Sequence, residues 1–206
     1  MTHNKLRTNE RNTTMPIIEA RKLRSHDLDT VPGDKPGWYR WCATPEATRQ
    51  LLGTYFDELR PHLLQGEEGS PRQGLYCVYV GIAVKESIRA RLNWHVNQRH
   101  TVSCVKHGTL STLRQSVSSL VGKDQGDERA TNTLIDQLTV EYFPVDFPIR
   151  SEEAKQHIEE KEREKIKNHV IPLNIQNNHQ PILADFKRAL KKARKDARDR
   201  FLRDSQ

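Results

Sequence analysis

No stretch of this sequence approaches the ~20 consecutive apolar residues a membrane-spanning helix needs, and the N-terminus carries no apolar run of the secretory type. The expectation is a soluble, cytoplasmic protein with no membrane partner. Cysteine is scarce: Cys42, Cys77 and Cys104 are odd in number and lack C-x-x-C spacing, which argues against a disulfide framework or a thiolate zinc site. Nine histidines are present, none in an HExxH pair, so zinc finds no support. Hydrophobic residues reach only 34% against 30% charged, which implies a modest core with solvated helices. There is no internal repeat.

What the chain has in surplus is positive charge, +7 overall, and a surplus of that size suggests a polyanionic partner, nucleic acid first. Residues 185–206 hold nine Lys/Arg and four Asp, most of the excess. There Phe186, Leu190, Ala193, Ala197 and Phe201 recur at helical steps. A basic amphipathic helix of this kind can lie along a phosphate backbone through Lys187, Lys191, Arg194 and Arg198, or dock its stripe on the domain or on a partner. Lys85 and Arg89 are further candidate nucleic-acid contacts.

Residues 1–15 are polar and aperiodic, the composition of a flexible arm. Strands are expected at "PGWYRWCA" (36–43), at 74–82 within "GLYCVYVGIA", and at "LTVEYFPVDFPI" (138–149), stopped by Pro144 and Pro148. A helix of about four turns should start at a Thr44 cap with Pro45 behind it. Another follows Gly81, with Ile88, Leu92 and Val96 on one face and Arg91 and His95 together on a face of their own. Residues 99–137 read as mostly helical. "SEEAKQHIEEKEREKIKNHV" opens with a serine cap and an acidic first turn, as a helix start should.

These residues resemble the GIY-YIG nucleases. Gly37-Trp38-Tyr39 and Tyr79-Val80-Gly81 match the two halves of that family's signature, and "SIRARLNWH" resembles its leucine-x-x-arginine step, which puts Arg91 on the catalytic arginine. His95 matches a histidine found in some restriction-endonuclease members. "EREKIKNHVIPLN" is similar to the family's E-x₃-[IL]-x₇-N segment and nominates Glu162 and Asn174. The value lies in order and context, since either tripeptide alone is worthless. There are departures: Tyr39 and Tyr79 are 40 positions apart, and the position after Tyr79-Val80-Gly81, often lysine in the family, is Ile82, with Lys85 a nearby substitute.

The resemblance implies an α+β domain over 16–180: a small, mostly antiparallel three-stranded sheet flanked by helices, with insertions at 44–66 and 99–137 and a basic helix over 181–206. It implies metal-dependent DNA cleavage with Tyr39, Tyr79, Arg91, His95, Glu162 and Asn174 as the catalytic set: Tyr39 as general base, Tyr79 and His95 positioning water or sharing the proton, and Asn174 orienting the loop or backbone. The residue chemistry fits independently. Glu162 can hold a Mg²⁺ (or Mn²⁺) that keeps most of its waters, Arg91 can grip non-bridging oxygens, and a nearby cation can lower a tyrosine's pKa. The rival readings are a non-cleaving nucleic-acid-binding module and an interaction protein using its last helix. Restriction, phage defence, repair and mobile-element roles all suit such an enzyme, and a homodimer is one route to a double-strand cut.

Overall fold

The computed structural model describes residues 17–205, so the arm expected over 1–15 lies outside the described residues. The sheet has four strands, not three, and every pairing is antiparallel: β1 (Ile17–Glu19), β4 (Leu138–Pro144), β2 (Gly37–Ala43) and β3 (Tyr76–Ala83), in that spatial order. The extra strand is three residues long, too short to show any alternation in sequence.

Central β2 is buried on both faces, so "GWYRWCA" reads as a run of large residues with no polar face. On one side Tyr39, Trp41 and Ala43 join Val78, Val140 and Tyr142 in the main core. On the other, Trp38, Cys42, Cys77 and Val80 pack with Ala154 and Ile158 of α8 (Glu152–Asn168), and Trp38 stacks on Phe143 at 3.7 Å between centroids.

The main core is covered by α1 (Ala20–Ser25), α2 (Pro45–Leu52), α3 (Phe56–Leu59), α4 (Ile88–Asn97), α6 (Thr112–Val121), α7 (Glu128–Ile135) and α9 (Ala184–Asp204); α5 (Val102–Lys106) leans on α9. Local signals place several starts. Thr44 caps α2 ahead of Pro45, and Ser151 caps α8 ahead of Glu152 and Glu153. The single helix expected after Thr44 is instead broken at Gly53, whose φ of 55° ends α2 before a 3₁₀ turn and α3 resume. Helix α9 is docked, not free: Phe186 and Leu190 enter the main core and Phe201 lies against Gly126. Among the described residues, no helix is long and apolar enough to cross a membrane.

Candidate active site

The two motif tripeptides face each other across the β2–β3 ladder, with Tyr39 opposite Gly81 and Trp41 opposite Tyr79. Their glycines have steric reasons. A Cβ on Gly81 would stand 2.5 Å from the Tyr39 hydroxyl and 2.6 Å from its Cζ, and a Cβ on Gly37 would strike the Phe143 carbonyl and the Ile88 side chain. Only a bare backbone lets the Tyr39 phenol lie under β3. Beyond Tyr79 the register slips, leaving Val78 as an extra residue whose carbonyl accepts from the Leu173 amide at 3.0 Å.

Helix α4, capped by Ser87, presents Arg91 and His95 one turn apart. His95 is 1% exposed, ringed by Tyr39, Trp41, Tyr79 and Trp94, and its Nε2 lies 2.6 Å from the Tyr39 hydroxyl. Its Nδ1 meets the Ser111 hydroxyl at 3.1 Å. Burial, with Arg91 and Arg114 adding to it, holds the imidazole well below the usual histidine pKa, so the ring is neutral. Tyr39, at 0% exposure, moves opposite to the sequence-based expectation: burial, helped by Tyr79, pushes its phenol well above 10, and Arg91 only partly offsets that. Tyr79 is pushed up to about 12, by burial first and Glu162 second.

Arg91 donates to Glu86 at 3.1 Å and stacks on Trp94 at 4.4 Å, and its buried Nε has no partner among the described residues. The α4 carbonyls behind it are held by fully buried Arg114, which donates to His95 O at 2.9 Å and also to Val96 O, to His100 Nε2 and to Asn132 Oδ1. Arg24 donates to Val96 O as well.

Glu162 faces this group from α8, three turns past the Ser151 cap, with Ile166 buried one turn further. Burial, then neighbouring Glu159, raises its carboxyl to about 7 against the opposing pull of Arg163 and Arg91. Asn174 does something different. Its Nδ2 donates to Val80 O and its Oδ1 accepts from Val80 N, both at 2.8 Å, so it occupies the outer edge of β3. Tyr79, Glu162 and Asn174 line a hollow of about 490 Å³ that also takes Thr112 from α6 and Lys191 and Arg194 from α9. A second hollow, of about 690 Å³, lies where Arg91 and Glu159 meet Lys85, Arg150 and Lys155.

The structure therefore brings Tyr39, Tyr79, Arg91, His95 and Glu162 together and gives Asn174 a backbone. Of the candidate nucleic-acid contacts, Lys85, Lys191 and Arg194 border these hollows. Arg89 is occupied by Asp29 and the Val31 carbonyl, Lys187 by Asn178 O and Arg198 by Lys106 O. Ser111 and Thr112 had no sequence signal beyond a helix start. Among the described residues no three metal-ligating side chains cluster. A lone carboxyl, raised by burial and a second carboxyl, nevertheless fits one hydrated divalent cation, which relieves that cost on binding.

Fold and hollow together describe a small α+β domain with a cleft beside the edge strand β3. Comparison with protein families matches the GIY-YIG catalytic domain over residues 37–196. The chain belongs to that family, a nuclease domain; the match includes residues 99–137 and most of α9. Comparisons with curated proteins and with solved structures gave no match.

Proposed function

We propose that this chain is a Mg²⁺- or Mn²⁺-dependent DNA endonuclease whose site is formed by Tyr39, Tyr79, Arg91, His95 and Glu162, with Asn174 shaping it from behind. The supporting observation is their convergence: a neutral phenol–imidazole–hydroxyl chain, a partly unpartnered guanidinium and a carboxyl raised to about 7, carried on β2, α4, α8 and the start of α6. Glu162 holds the cation. When bound, that ion supplies positive charge to the phosphoryl oxygens as negative charge gathers on them.

Arg91 grips a non-bridging oxygen with its free N–H groups, giving up Glu86 in part or whole. The Tyr39 phenol, too costly to ionise alone, passes its proton to neutral His95 Nε2 as it takes one from the attacking water. Ser111 holds the other ring nitrogen, and Tyr79 orients the water. The restriction or phage-defence role rests on the Arg-x-x-x-His resemblance; a homodimer and a reducing cytoplasm, consistent with three free cysteines, go with it.

Plasmid DNA with Mg²⁺ or Mn²⁺ tests this, comparing wild type with Glu162→Gln and Arg91→Ala. Cleavage should fall at least ~10²-fold in both variants with folding retained, and with DNA binding retained in Glu162→Gln. A wild type that binds DNA but never cuts it with either ion sinks the enzyme and leaves a binding module.

A further inference from the structure

We propose that Arg194, assisted by Lys191 one turn earlier, holds a second phosphate of the nucleic-acid strand beside Glu162, so that α9 completes the substrate cleft instead of guiding DNA across its outer face. The nucleic-acid identity of this anion rests on the nuclease reading; the site itself does not.

Arg194 is partly buried on the α9 face that packs on α6, and it reaches the hollow shared by Tyr79, Thr112 and Glu162. Among the described residues its side chain makes one hydrogen bond, a donation to the neutral Gln115 amide oxygen, and no ion pair. Burial lowers its pKa, and Tyr79 opposes that shift. A guanidinium removed from water without a counter-charge is costly, and its remaining N–H donors are arranged for an oxyanion. The same hollow receives the start of α6, where Thr112 stands at the first helical position.

A phosphodiester strand meets all of these features at once. One phosphate sits at Arg91, and its neighbour is neutralised by Arg194 and Lys191. Several other basic side chains of α9 differ: Lys187 and Arg198 are spent on backbone carbonyls, Arg188 pairs with Asp185 and Lys192 with Asp196.

The test measures fluorescence anisotropy of a labelled duplex in the Glu162→Gln background, without divalent ion, across a KCl series. Adding Arg194→Met should weaken binding ~5–20-fold and flatten the log K against log [KCl] slope by about 0.9. Arg194→Lys should recover the slope. Gln115→Ala, which removes the α9–α6 tie and keeps the cation, should change neither. In the active enzyme Arg194→Met should raise KM more than it lowers kcat. Should Arg194→Met not fold, phenylglyoxal labelling of wild type read by mass spectrometry replaces it, with the duplex protecting Arg194. Unchanged affinity and slope in Arg194→Met, equal losses in Gln115→Ala, or no protection of Arg194 each overturns the proposal. Arg194-dependent binding in a wild type that never cleaves would sink the nuclease and spare this site. Cleavage with no Arg194 dependence would do the reverse.

Discussion

Tyr39 shows how burial outweighs a neighbouring cation. With Arg91 beside it the phenol still sits well above 10, because a wholly buried anion loses more hydration than one partly solvent-exposed guanidinium returns. Its chemistry therefore depends on the His95 contact and on the space Gly81 leaves. Gly81→Ala should displace the phenol, cost ~1–3 kcal/mol of stability and reduce cleavage ~10²-fold, read by denaturation and plasmid nicking. Glu162 makes a prediction of opposite sign. Its folded pKa of about 7 lies above the 4.5 of an exposed glutamate, so the native state keeps a proton that the unfolded chain releases. The stability this confers is complete below about pH 4.5 and is lost as pH rises through about 7. Without divalent ion, Glu162→Gln should thus be ~1–2 kcal/mol more stable than wild type at pH 8 and indistinguishable from it near pH 4.5, by urea unfolding at the two pH values.

At the scale of elements, β3 is an edge strand closed by a side chain. Asn174 gives the Val80 amide and carbonyl the partners a further strand would supply, and Leu173 does the same for the bulge carbonyl of Val78. Asn174→Ala would leave two main-chain groups unpaired at a buried position. A loss of ~2–4 kcal/mol is expected, seen as a lower melting temperature, with residual cleavage by whatever fraction stays folded at low temperature. An inactive Asn174→Ala that melts like wild type would instead put this side chain on the substrate. Helix α4 is comparably supported. Its last carbonyls receive Arg114 from α6 and Arg24 from α1, so the element presenting Arg91 and His95 is set by helices distant in sequence.

For the whole molecule, the surplus of +7 makes association with DNA salt-dependent whatever the site does, so affinity means little without the ionic strength. Cation binding is separable from that. At pH 8, millimolar Mg²⁺ should raise the melting temperature of wild type, since it binds the ionised Glu162 of the native state, and leave Glu162→Gln unmoved. An equal rise in both proteins would place the cation elsewhere.

The strands carrying both tyrosines, the arginine helix and the glutamate helix were all legible in the sequence, because β-rich runs, Ser and Thr caps and helical spacing are local effects. So was the candidate set itself, through the order of its motifs. The three-residue β1 was not, and neither was the break at Gly53: one is too short for a pattern, and the other turns on a single backbone angle. Nothing local marks Ser111 as the partner of His95, or separates Arg194 in the cleft from Arg198 on a carbonyl, since both arginines lie on one basic helix. Tertiary structure decided these points, and it also decided the protonation of Tyr39, His95 and Glu162. Burial and through-space neighbours set those energies, and both exist only once the chain has folded.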